Sequence, residues 1–311
     1  MGLVLLVPLA VLVVLVATVV TALLPRGAGA TADVETSPGA YARARRHAAV
    51  VAGLSWAALL LACLLLPEAV PFGISQGVVL ACMPATAGVV ALLVAAVGER
   101  TWPRPAAPVR RASLVRRTVR DVAPRPLAAV LLGWSAALPV LLVATGLSAD
   151  AAGRTVTFAP DAVSTSSAGP YPGAPYGVPV VLATAVLLVA TGATLHLVAR
   201  RPAVPDVSTA DDARLRRASA RRVLACAQLV VGGTLAGVLL VTGAALQRAS
   251  STTWAVDDVW TTSTDPVAQA FGVAGLVAAA AVLLTTCVVT GVALARASRE
   301  SAPATPAPVA A

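Results

Sequence analysis

Few residues in this chain combine type and spacing in a way that could do chemistry. Arg-Arg-Ala-Ser occurs twice, ending at Ser113 and Ser219. Two guanidiniums just ahead of a hydroxyl resemble the sites of basophilic Ser/Thr kinases, although in segments built from Arg, Ala and Ser the tetrad arises easily by chance. A phosphate at either serine would add roughly −1.5 to −2 charge among arginines and loosen their hold on anionic lipid. Asp257 and Asp258 stand side by side between Trp254 and Trp260. They are available to a cation or a basic partner, and the plainer reading is a solvated acidic turn with the indoles at a membrane surface.

The remaining reactive types form no constellation. Ser75 in GISQG and Ser148 in GLSAD have no histidine near them in sequence, and His47 and His196 have no thiolate or carboxylate pattern that would make a zinc site. Cys63, Cys82, Cys226 and Cys287 all fall inside hydrophobic runs, where cysteine acts as a small apolar packer; pairing of Cys63 with Cys82 across a helical hairpin stays open. No HExxH, phosphate-binding Gly-Lys-Ser/Thr loop or Asp pair at a helix centre is present. The chain contains no lysine, which excludes a retinal Schiff base. The expectation is a protein that is not an enzyme, with no cofactor and no metal.

The elements that carry these residues are set by hydropathy. The chain has 311 residues, 58% hydrophobic and 12% charged, and a mean hydropathy of +0.85. That charged fraction is about half of what soluble domains carry, which predicts an integral membrane protein. The net charge of +9 comes from arginines lying between hydrophobic runs and not on a separable basic domain, so anionic lipid is the expected counter-charge and nucleic acid is not expected.

Seven runs are long enough to span a ~30 Å hydrocarbon core: about 1–24, 49–66, 74–97, 127–147, 179–199, 223–246 and 271–294. None contains Asp, Glu, Lys or Arg, which disfavours proton relays and ion-coupled carriage. The rival reading of residues 1–24 as a cleaved signal peptide lacks a basic n-region. The second span continues a helix opened by Ser37-Pro38, and Pro84 sits within the third. The sixth extends a helix that starts at Ser208, with Asp211 completing a capping box and Asp212 four residues from Arg216. Gly232, Gly233 and Gly237 would let a neighbouring helix approach the sixth closely.

The segment Gly98 to Pro126 holds eight arginines and decides the orientation. Short Arg-rich loops stay cytoplasmic, and the alternate loops placed inside by this rule hold 21 of the 23 arginines, leaving Arg154 and Arg248 outside. The predicted fold is all-α: a polytopic transmembrane helical bundle of seven spans over residues 1–296, amino terminus out and carboxyl terminus in, with a disordered cytoplasmic tail at 297–311. In the central loop, Arg110, Arg116, Arg117 and Arg120 share one helical face opposite Ala112, Val115, Val119 and Val122. They would contact lipid headgroups from a short surface helix; a solvated loop explains the same composition. The stretch 148–177 reads as an irregular outer loop, and 247–269 is the last outer loop.

GERTWPRP (Gly98 to Pro105), the Arg-rich segment after it and the hydropathy profile together resemble uncharacterised multi-pass membrane proteins of high-GC actinobacteria. The resemblance implies a bacterial plasma membrane and brings no activity or site. Two function classes follow from the residues. One is a non-catalytic accessory, anchoring or assembly component whose Arg-rich cytoplasmic face meets anionic lipid and a membrane or cytosolic protein partner. The alternative is a permease-like subunit or facilitator working with a separate ATPase.

Overall fold

The computed structural model describes residues 36–68, 74–102, 118–159, 164–204, 206–256 and 259–302. The predicted first span (1–24), Arg110, Ser113, Arg116, Arg117, Asp257, Asp258 and the tail from residue 303 lie outside the described residues. Six long helices are present: α1 (Pro38–Leu65), α2 (Ile74–Arg100), α4 (Arg125–Ser148), α5 (Ala174–Arg200), α6 (Thr209–Ala249) and α7 (Pro266–Glu300), with a single turn, α3 (Val119–Val122), before α4. All six are long and apolar enough to cross a membrane. They cover the last six predicted spans and run past most of the predicted ends.

The bundle is built around α6. Its most apolar stretch is 72% buried, against 17% for α1 and α7, so α6 is surrounded while the others face outward. Ser208 starts it by accepting the Asp211 N–H at 3.2 Å, one half of the expected capping box; the other half is not made, because the Ser208 N–H donates to the Thr36 hydroxyl at 2.9 Å. At ~1.5 Å per residue the helix is about 62 Å long, roughly twice a hydrocarbon core. Leu224 and Val231 of α6 pack with Leu92, Leu187 and Leu195 in the main core, and Leu235 packs with Leu138 and Val180 in a second cluster.

Antiparallel to α6, α7 buries one stripe of small residues that includes Gly272, Ala279, Thr286, Thr290 and Ala297. Its other faces expose Phe271, Val277, Leu284 and Val288 by more than half. Leu54, Leu132, Val140, Leu182 and Val189 are similarly exposed on α1, α4 and α5. An apolar belt of this extent would be a severe aggregation hazard in water and is the ordinary surface of a bundle in lipid.

The helices approach most closely where glycine faces backbone. A Cβ on Gly243 would lie 2.8 Å from the Gly272 carbonyl oxygen and from the Leu276 nitrogen, and one on Gly232 would collide with Thr286. A Cβ on Gly233 or Gly237 would meet no other group within 4 Å among the described residues. Of the three predicted glycines, only Gly232 forms the crossing, with Gly243 completing it.

Both outer loops contain β-hairpins; the strands of the first, in the stretch read as irregular, are three residues each, too short for alternation to show in sequence. β1 (Val156–Phe158) pairs with β2 (Ser166–Ala168), Val156 opposite Ala168. Val156 and Tyr171 are buried against Ala245 and Ala249 of α6, which gives the hairpin the apolar support that an isolated two-stranded ribbon lacks. Asp150 orients the entry by accepting the Arg154 and Thr155 N–H groups at 2.8 and 3.1 Å. Those N–H groups hold its carboxyl below the usual carboxylate range. Their contribution is complete at neutral pH and is lost as the pH falls through that lowered value.

β3 (Ser251–Val256) pairs with β4 (Val259–Thr264), closing at Val256 opposite Val259. The loop is also narrower than predicted, because Gln247 belongs to α6 and Gln269 to α7. Asp265 caps α7 by accepting the Val267 and Ala268 N–H groups at 2.9 and 3.1 Å, ahead of Pro266 in the first turn.

Candidate functional site

Charged side chains gather where α1, α6 and the Arg-rich segment begin and α2, α5 and α7 end. Glu99 closes α2 and Arg201 follows α5, each just beyond a predicted span. They meet as an ion pair, Arg201 Nη1 to Glu99 Oε2 at 3.1 Å, with side chains 0% and 7% exposed. The Arg201 guanidinium also lies 3.8 Å from the centroid of the Trp102 ring, an arrangement worth more out of water than at a wet surface. Trp102 in turn meets the His47 ring edge to face at 5.1 Å, and His47 Nε2 is 3.0 Å from the Gly98 carbonyl oxygen. Gly98 is required there because a Cβ would overlap Val51.

A second ion pair lies within α6. Arg216 Nε donates to Asp212 Oδ2 at 2.7 Å, as the four-residue spacing predicts, with both side chains almost fully buried. Its Nη1 donates to the Val198 and Ala199 carbonyl oxygens at 3.1 and 3.0 Å. These are orphan acceptors of the last turn of α5, so Arg216 caps that helix and meets the negative end of its dipole. Arg221 bonds Glu300 at 2.9 Å and Arg222 bonds the Ser301 hydroxyl at 3.1 Å, fastening the end of α7 to α6. The Tyr41 hydroxyl reaches the Ser301 carbonyl oxygen at 3.2 Å from α1.

Between α1, α2 and α6 this layer encloses a slot of ≈ 40 Å³. Its polar end is formed by Glu99, Trp102, Ser219 and Arg222; Ala52, Trp56, Leu92 and Cys226 line its apolar end. Arg201 Nε and Nη2 and Trp102 Nε1, all buried beside it, have no hydrogen-bond partner among the described residues.

No protein-family model, no curated protein and no solved structure matches this chain. The chemistry of the site therefore rests on its own geometry. That geometry can hold charge and fix helix ends. Among the described residues, no three His, Cys, Asp or Glu converge as a metal site.

The sequence-predicted residues fare unevenly. Ser219 is 7% exposed, with the Arg201 guanidinium 3.5 Å from its hydroxyl, so a kinase would meet it only after α6 opened. Phosphopeptide mapping of protein from its native host should find Ser219 unmodified; a phosphate there at good coverage would show that this end of the bundle opens in the cell. Arg120 is exposed while Val122 is buried in the short helix α3, as an amphipathic surface helix requires over those four residues. Thr118 caps α3, with its N–H donating to Asp121 Oδ2 at 2.7 Å. Trp254 and Trp260 are one position out of register across the hairpin, Trp254 opposite Thr261 and Trp260 opposite Ala255. Alternation therefore puts the two indoles on opposite faces, with Trp260 75% exposed.

His196 is exposed on α5, far from the role of His47. All four cysteines are free. Cys63 packs against the main core and Cys82 against the separate cluster around Leu138, so the open pairing of these two is not made. Glu99, Trp102 and Arg201 escape sequence reasoning because each reads alone as a loop residue at a span end. The one available signal is position, since two opposite charges stand just beyond spans that can be neighbours.

Proposed function

We propose that the protein is a non-catalytic integral membrane component, an accessory, anchoring or assembly subunit of a bacterial plasma membrane. Its seven spans run from an outside amino terminus to an inside carboxyl terminus, and its Arg-rich end faces the cytoplasm and anionic lipid. The observation that carries this reading is how the described charges are used. Glu99–Arg201 ties the end of α2 to the end of α5 and Arg221–Glu300 ties α6 to α7, while Arg216, paired with Asp212 on its own helix, caps α5. Such groups hold helices in place. The resemblance to actinobacterial multi-pass proteins agrees with that membrane.

One observation favours the transport reading. Both polar atoms of Gln228 lack a partner among the described residues, as do the hydroxyls of Thr286 and Thr290, and all three residues are 0% exposed. Thr191, Thr194, Thr234 and Thr285 instead bond the carbonyl four residues back at 2.8 Å. The antiparallel register that seats Gly232 on Thr286 sets Gln228 level with Thr290 one turn away. A permease-like subunit or facilitator could use such groups for a weakly polar solute. Recovery of the full chain in mild detergent followed by mass spectrometry separates the readings: a stable complex without nucleotide-dependent activity supports the accessory role, and a co-purified ATPase supports transport.

Orientation has its own expected result. In a chain whose four native cysteines are replaced by Ala, Cys introduced at Ser164 or Thr262 should react with an impermeant thiol reagent in intact cells, and Cys introduced at Ser113 should not. Labelling at Ser113 alone reverses the topology.

A further inference from the structure

We infer that the slot between α1, α2 and α6 is a phosphate site, its ligand oxyanion supplied by the headgroup of an anionic phospholipid or by free phosphate and held chiefly by Arg222. The first support is an imbalance of partners. Along this end of α6, Arg214, Arg216 and Arg221 each have a carboxylate, from Asp211, Asp212 and Glu300. Arg222 lines the slot, and among the described residues it bonds only a neutral hydroxyl, that of Ser301, through Nη2. Glu99 is the carboxylate it feels, while Arg45 and Arg201 add like charge. That carboxylate is already engaged at 3.1 Å by Arg201. Arg222 thus shares with Arg201 a carboxylate that Arg201 already bonds, with Arg45 adding further positive charge, and Arg201 Nε and Nη2 have no partner among the described residues. An oxyanion in the slot gives Arg222 a counter-charge of its own, because guanidinium presents paired N–H groups in the geometry that phosphate oxygens accept.

The shape fits the same class of ligand. The ≈ 40 Å³ of the slot takes about three water-sized groups at ~10–15 Å³ each, room for part of a phosphate and not for the whole ester. The phosphate therefore sits at the mouth with an oxygen directed inward. Away from the charged end the lining is Ala52, Trp56, Leu92 and Cys226, an apolar surface for a lipid chain to follow. Basic pockets between helices on the cytoplasmic side are where anionic headgroups bind. This site specifies the lipid partner of the proposed function and rests on that orientation.

The test uses the full chain in dodecyl maltoside. Native mass spectrometry counts retained lipid after exposure to equal phosphatidylglycerol and phosphatidylcholine, and the unfolding midpoint is followed with each lipid. It is also followed in lipid-free protein with sodium phosphate against sodium chloride at matched ionic strength. Retention of phosphatidylglycerol at least tenfold over phosphatidylcholine is expected, with a raised midpoint. Arg222→Gln should abolish the preference, Arg222→Lys should weaken it severalfold, and Arg217→Gln, on the exposed side of α6, should leave it intact. Glu99→Gln should strengthen it by removing the competing carboxylate. A midpoint raised by phosphate but not by phosphatidylglycerol, and lost in Arg222→Gln, assigns the free ion as the source. Equal retention of the two lipids with no phosphate effect on the wild-type chain overturns the site whether or not the variants fold. So does a preference that survives in Arg222→Gln. Neither result touches the recovery of a protein complex, so failure here is separate from failure of the accessory reading.

Discussion

Replacing Arg201 by Met is expected to lower stability by about 3–5 kcal/mol, and adding Glu99→Leu to the same chain to restore most of that loss. The single change leaves the Glu99 carboxylate, which is 7% exposed, with its ion-pair partner gone and Arg222 only sharing the lining of the slot with it. The double change leaves two apolar side chains facing each other, which costs little when their volumes match. Arg214→Ala removes a pair whose arginine is 38% exposed and should cost no more than about 0.5 kcal/mol, as surface pairs do. Unfolding in mixed micelles, followed by tryptophan fluorescence, measures all three. A double variant as unstable as the single one would mean that the layer is held by Trp102 stacking and packing rather than by the charge pair.

Gly243 carries the second large effect. Substitution by Ala should cost about 1–3 kcal/mol, because the new Cβ would meet the Gly272 oxygen and the Leu276 nitrogen at 2.8 Å and those are backbone atoms that cannot turn aside. Leu should cost more and separate α7 from α6. The same change at Gly233 or Gly237, which have open space around them, should stabilise the helix by roughly 0.5–1 kcal/mol through the lower backbone entropy of Ala. Opposite signs at glycines on one helix are the diagnostic. If Gly243→Ala is neutral, the α6–α7 crossing is looser than described and α7 shifts at little cost.

The membrane character and the positions of six helices were legible in the sequence because each depends on a local average of hydropathy over some twenty residues. Fifth-span residues 179–199, for example, lie inside α5 at Ala174–Arg200. The Ser208 cap and the Asp212–Arg216 pair were legible for a related reason: both partners lie on one helix, so spacing alone brings them together. The Asp265 cap was local too, but Asp265 was read only as a residue of the last outer loop, whose end was set four residues too late.

What tertiary structure alone decided was every pairing between helices. Glu99 and Arg201 stand 102 residues apart in the chain, and nothing in either neighbourhood names the other. In water an amphipathic pattern would show which face of each helix turns inward. In lipid the outward face is as apolar as the inward one, so α1 exposes Leu54 and buries Leu59 with no difference in residue type to mark them. The choice of Gly232 over Gly233 and Gly237, the separation of Cys63 from Cys82 and the slot beneath Arg222 all follow from which faces meet. The residues' hydropathy set where the helices cross the membrane; shape complementarity between whole helices, which no single segment encodes, set how they meet.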